Sequence, residues 1–118
     1  MAGGREKSLS RNLALLEVYD PNADTWRTGP RLPTARSGVA GAVFEGLFIV
    51  AGGEDPGGTF SEVEAFDPVA NRWLSLPPLP TPRHGLAAAA VGNMLYVIGG
   101  GKRPGLSFSG ANEALEVR

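Results

Sequence analysis

Cysteine is absent from the 118 residues, which excludes disulfide cross-links and thiolate metal centres within them. Histidine occurs once, at His84, too few for a histidine metal cluster, and nothing in the chain implies a cofactor. Eleven basic and twelve acidic residues leave a formal charge of -1 spread along the chain. No polycationic surface is available to displace counterions from a phosphate backbone, so nucleic acid is not an expected partner. The longest unbroken apolar run, Leu86 to Val91, falls far short of the roughly 20 residues a spanning helix needs, and no membrane association is expected. The opening residues, Met1 to Ser8, hold no apolar stretch of the signal-peptide kind. No export signal is expected, and the cytoplasm is the default compartment.

Glycine and proline, by contrast, are plentiful. Seventeen glycines and ten prolines recur between short apolar runs instead of gathering in one tail. That distribution predicts an all-β protein with frequent turns.

Sliding the sequence against itself by 47 residues superposes Asp20-Pro21 on Asp67-Pro68, Trp26 on Trp73, Arg36 on Arg83, Gly38 on Gly85 and Gly52-Gly53 on Gly99-Gly100. From Tyr19 to Gly53 the register holds without a gap, with 15 identities in 35 positions concentrated on Gly, Pro, Trp and Arg. Strand-rich units with a period near 50 point to a propeller, whose blades need four strands each. Residues 38–44 predict a first strand and 47–51 a second, joined at the two-residue turn Glu45-Gly46. A polar loop follows. Residues 62–66 then predict a third strand, Asp67 to Asn71 a turn, and 72–76 a fourth. Ala87 to Ala90 has high intrinsic helix propensity, but it lies between Gly85 and Gly92 in register with a predicted strand and is expected to be one too.

A double glycine, an aromatic thirteen residues after it and a tryptophan seven further on occur as Gly52-Gly53, Phe66 and Trp73. Tyr19 and Trp26 repeat the second half of the pattern, and Gly99-Gly100 repeat the first. This resembles the kelch repeat, and the resemblance covers essentially the whole chain. It implies kelch-type β-propeller blades of four antiparallel strands. Residues 1–35 are then a partial first blade, 36–76 a complete blade, and 77–118 a linker with an incomplete third blade. Aligning Leu115-Glu116-Val117-Arg118 on Leu16-Glu17-Val18-Tyr19 puts the end of the chain where the third aromatic is due. Propellers close with roughly four to eight blades, so the expectation is an incomplete propeller that belongs to a longer one or associates through its exposed blade edges as a homo-oligomer.

The resemblance also assigns roles. Gly52, Gly53, Gly99 and Gly100 would end second strands beneath an aromatic ring, and Trp26 and Trp73 would wedge neighbouring blades. Loops joining strands two to three and four to one emerge on one face, because antiparallel strands alternate direction. Ser8 to Asn12, Glu54 to Ser61 and Gly101 to Asn112 form the first set; Thr34 to Ser37 and Thr81 to His84 form the second. Kelch proteins that capture acidic peptides often hold a contacting arginine just before the inner strand. Arg36 and Arg83 stand there, followed by Ser37 and His84, with Arg11 and Arg103 as further candidates. The guanidinium fork suits a carboxylate; equally, a repeated arginine can satisfy a carbonyl or carboxylate inside its own blade. Glu62 and Glu64 alternate on one strand face and read as a solvated edge. The expected function is a non-catalytic protein-interaction module binding a protein or acidic peptide, with Arg83→Ala abolishing binding without loss of stability. The alternative is part of a carbohydrate-active kelch enzyme of the sialate epimerase or mutarotase kind. The tyrosine-cysteine crosslink of copper radical oxidases, which share the fold, is impossible without cysteine.

Overall fold

Glu45 and Gly46 both take positive φ, 45° and 81°, the backbone of a two-residue hairpin whose twist matches its flanking strands. They join β3 (Ala40–Phe44) to β4 (Leu47–Ala51), which pair in antiparallel register from Phe44↔Leu47 to Ala40↔Ala51. The computed structural model describes residues 1–6 and 11–117, and over these it is all-β, with no helix. Before this hairpin come β1 (Glu17–Asp20) and β2 (Thr25–Thr28). After it come β5 (Glu54–Asp55), β6 (Gly58–Thr59), β7 (Val63–Asp67), β8 (Arg72–Leu76), β9 (Ala87–Val91), β10 (Met94–Ile98) and β11 (Asn112–Glu116).

The central sheet has the order β3-β4-β7-β8, the four-stranded meander of one blade. Asp67 Oδ1 accepts from the amides of Val69 and Ala70 at 2.9 and 3.2 Å, and Asp20 does the same for Asn22 and Ala23 at 2.9 and 3.4 Å. These side-chain turns close the β7–β8 and β1–β2 hairpins in the same way. Ahead of the central sheet, β1 and β2 pair with each other, and an isolated bridge sets Ala2 against Leu16. Behind it, β9, β10 and β11 form a three-stranded sheet. Ala87 to Ala90 is strand as expected: pairing with β10 and packing against β3 override the local preference for helix.

The core lies in the seams between sheets. Ala40, Phe44, Ile49, Ala51, Val63 and Ala65 on one face of the central sheet bury against Leu86, Leu95 and Val97 of the next. Small alanines on β3 and β9 let these two strands approach, and the Gly85 amide donates to the Gly38 carbonyl at 2.7 Å across the gap. On the opposite face, Phe66 and Trp73 stack with centroids 5.5 Å apart, and Trp73 Nε1 donates to the Pro30 carbonyl at 2.9 Å, tying β8 to the preceding copy. Tyr19 and Trp26 form the same pair at 5.2 Å. Their outward side is open, and Trp26 is 63% exposed.

Three expectations need correction. The loop 54–61 is not wholly irregular, because Glu54↔Thr59 and Asp55↔Gly58 pair as the small hairpin β5–β6. At Gly52, Gly53, Gly99 and Gly100 it is backbone, not an aromatic ring, that stands nearest the space of a side chain. A Cβ on Gly52, where φ is +70°, would lie 2.5 Å from the Arg83 carbonyl oxygen, and one on Gly3 would lie 2.6 Å from that of Arg36. At these two positions the backbone of the next copy leaves no room for a side chain, while at Gly53 and Gly100 it is the carbonyls of Ser37 and His84, in the same copy, that crowd the backbone. Third, the end of the chain is aligned differently from the sequence expectation. Leu95 pairs with Leu115 as Phe48 pairs with Phe66, so Leu115 occupies the aromatic position and Glu113 that of Glu64. The loop after Gly100 has the length of the one after Gly4, so Leu115 matches Tyr19 and not Leu16.

Candidate functional site

The two recurring arginines turn inward. Arg36 and Arg83 are both 0% exposed, among the largest fully buried side chains of the described residues. Arg36 Nη1 donates to the carbonyls of Gly52 and Glu62 at 2.6 and 2.7 Å, and Nη2 to Glu64 Oε1 at 2.8 Å. Arg83 repeats the set on Gly99, Ala111 and Glu113 at 2.9, 2.9 and 2.7 Å. Each guanidinium thus ties the end of a second strand to the third strand of its own sheet. Burial pulls the Arg36 guanidinium below its ordinary value, and Glu64 and then Glu62 oppose that pull. The ligand-contact role given to Arg36 and Arg83 is therefore corrected to an internal one, since their Nη donors face carbonyls and a carboxylate within the sheet. Glu64 is likewise buried, not a solvated edge.

Beside these arginines the loop face carries a polar cluster drawn from all three copies. Its centre is Glu54, the residue after the second diglycine, buried to 7% exposure. Arg5, at the same position in the first copy, donates to Glu54 Oε1 at 2.7 Å. The Gly105 amide, from the loop of the third copy, donates to Oε2 at 2.8 Å. Asn12 Nδ2 donates to the Glu54 carbonyl at 2.8 Å, while its Oδ1 accepts from the Ser37 hydroxyl at 2.8 Å. Burial would push the Glu54 carboxyl up, but Arg5, the Gly105 amide and His84 together hold it below the usual carboxylate range.

His84 closes the cluster from the fourth-to-first loop. Its Nδ1 lies 3.5 Å from Glu54 Oε1, and its Nε2 donates to the Arg103 carbonyl at 2.9 Å. Room for the ring comes from Gly101, where a Cβ would stand 2.9 Å from Nε2. Gly101 holds the position that Arg5 and Glu54 hold in the other copies, and bridges Ser37↔Glu54 and His84↔Gly101 join the two loop sets in the same manner.

Of the six candidate contacts, Ser37 is buried and engaged with Asn12, so it too is corrected to an internal role. His84 is largely enclosed, whereas Arg11 and Arg103 are exposed. Ser8 to Ser10 of the first loop, and Arg118, lie outside the described residues. Sequence reasoning missed Arg5, Asn12 and Glu54.

The loop 101–110 is anchored through its backbone. Besides Arg103 and Gly105, the Lys102 carbonyl accepts from the Thr59 hydroxyl at 2.9 Å, and Ser107 Oγ accepts from the Arg103 amide at 3.1 Å. Its side chains point outward: Lys102 and Arg103 are exposed, and Leu106 and Phe108 are 108% and 94% exposed.

Residues 35–80 match the family model described as the kelch motif. An F-box/kelch-repeat protein of Arabidopsis thaliana is 40% identical over 50 residues, which make up 42% of this chain and 13% of that protein. The match therefore takes in only a small part of that relative's length.

Proposed function

This chain carries kelch repeats, and from that premise we propose that it is a non-catalytic protein-interaction module whose contact surface is the loop face. The observation that carries this reading is the 101–110 loop: a backbone fixed by hydrogen bonds to Glu54, Thr59 and His84, with two large apolar side chains and two cations left in solvent. A pre-shaped loop of this kind loses little entropy on docking. Its chemistry suits a peptide with acidic residues next to an apolar anchor, because Lys102 and Arg103 flank Leu106 and Phe108.

An array of acidic, leucine- or phenylalanine-containing peptides tests this. Peptides retained by the chain should bind about tenfold more weakly to Leu106→Ser/Phe108→Ser, a loss of hot-spot size, and more weakly in high salt. Melting temperature should not change. Equal retention by the variant, or no retained peptide, would remove the loop from the reading.

A second occupant is favoured by the last sheet. Val91, Tyr96 and Ile98 are 64%, 36% and 51% exposed, yet their central-sheet counterparts Phe44, Ile49 and Ala51 are buried to 4%, 1% and 1%. A face so built accepts another blade of the same kind, and a second copy offers one on the open side of Tyr19 and Trp26. Head-to-tail contacts of this type extend or close into rings. Light scattering should give a mass that rises with concentration above the 12.3 kDa of one chain, and Ile98→Asp should return it to that value. A single-chain mass at every concentration would refute self-association.

A further inference from the structure

His84 is held by two acceptors at once. A carbonyl oxygen can only accept, so Nε2 carries a proton toward Arg103. Neutral imidazole has one N–H, and with Nε2 protonated it would turn the Nδ1 lone pair toward the Glu54 carboxylate 3.5 Å away. Two like electron-rich groups would then face each other. Only the doubly protonated imidazolium satisfies both neighbours, by a hydrogen bond on one side and an ion pair on the other. We propose that Glu54 and His84 form a proton-dependent clasp that fixes the 101–110 loop, with both acting as positioning residues for that loop.

The surroundings fit this reading. The charged groups that meet His84 among the described contacts are Glu54 of β5 and, on the same carboxylate, Arg5. Gly38, across from the His84 Cβ, brings no charge, and the 101–110 loop offers the Arg103 carbonyl, while the Arg103 guanidinium is exposed to solvent. The carboxylate that meets His84 also accepts the Gly105 amide, so it holds the loop directly at Gly105 and, through His84, at the Arg103 carbonyl. Gly101 leaves the ring its space: a methyl group there would meet both His84 and Ser107.

The sign follows from these partners. With the imidazolium in place the clasp is closed. Loss of the Nδ1 proton removes the ion pair and loosens the loop from Glu54. At the acid end, Glu54 is held below the usual carboxylate range, so its share is present above that range and is lost only as pH falls through its lowered value. The clasp is therefore closed in a mildly acidic window and open at alkaline pH. Its consequence for binding rests on the contact-loop reading above: a peptide that docks on Leu106 and Phe108 should bind about fivefold more weakly at pH 8 than at pH 6, the effect of an ion pair of ordinary strength.

Proton–nitrogen spectra of the whole chain between pH 5.5 and 8.5 test the clasp without any ligand. The Gly105 amide should follow a one-proton curve with the same midpoint as the ring of His84, the chain's one histidine. The curve should vanish in His84→Asn and in Glu54→Gln. A flat Gly105 resonance in the unaltered chain, or an unchanged curve in a folded His84→Asn, would overturn the proposal. If neither variant folds, coincidence of the two wild-type midpoints supports the clasp and a mismatch overturns it. A Gly105 amide that titrates while peptide binding ignores pH would keep the clasp and remove the contact-loop reading.

Discussion

Arg36→Ala is expected to destabilise the chain by about 3 to 5 kcal/mol, the cost of stranding one partner of a buried ion pair. The substitution leaves Glu64 Oε1 and the Gly52 carbonyl without the guanidinium, behind a side chain 0% exposed, while the Glu62 carbonyl keeps the Gly52 amide at 3.0 Å. Thermal melts should record a drop of about 10 °C or more for a domain of this size. Arg83→Ala should cost less, because the Glu113 side chain is 22% exposed against 6% for Glu64 and can be hydrated where it stands. It should still lower stability, contrary to a purely ligand-facing arginine. Arg36→Met/Glu64→Leu should recover much of the loss by removing both charges together. An Arg36→Ala melt within a degree or two of the unaltered chain would show that the guanidinium does not hold the strands.

The tryptophans should part company despite their matching positions. Trp73→Ala is expected to cost about 3 kcal/mol, the lower end for a large aromatic because the ring is only half-buried. It removes the stack on Phe66 and the indole hydrogen bond to Pro30 in the preceding copy. Trp73→Phe keeps the ring and should lose about 1 kcal/mol, the share of one hydrogen bond. Trp26→Ala should change stability by less than about 1 kcal/mol, since its ring is 63% exposed and stacks only on Tyr19 among the described rings. Equal losses for Trp26 and Trp73, measured by chemical denaturation, would mean that the seam with the preceding copy contributes little.

The strands were legible because their signals are local or repeat without a gap. Glu45-Gly46 dictates a hairpin by backbone conformation alone, and the 47-residue register transfers one strand assignment to the next copy. The destination of the arginines was half legible: Arg36 and Arg83 recur, and so do Glu17 and Glu64 at the same spacing. An arginine and a carboxylate that both recur at one period are candidates for an internal pair. Alternation on a strand told which face Glu64 shares, but not which face is buried, because that depends on the neighbouring sheet. Glu54 left no trace, since its position holds Arg5 in one copy and Gly101 in another, and its partners come from three separate stretches of chain. The slip at Leu115 arose because Leu115-Glu116-Val117 repeats Leu16-Glu17-Val18 letter for letter, whereas strand pairing sets Leu115 at the Tyr19 position, three residues further on.

The wiring across copies runs in one direction. The Gly4 amide donates to the Arg36 carbonyl at 2.9 Å; the Arg36 side chain grips the Gly52 carbonyl; the Gly53 amide donates to the Arg83 carbonyl at 2.8 Å; and the Arg83 side chain grips Gly99. The central copy thus contributes the donor half of the joint that follows it and the acceptor half of the joint behind it. A tandem duplication of one period regenerates these backbone joints on both sides. The side-chain contacts do not follow automatically: a duplicated central period would set one Glu54 beside another where Arg5 now stands, so a new junction needs its own partner for that carboxylate.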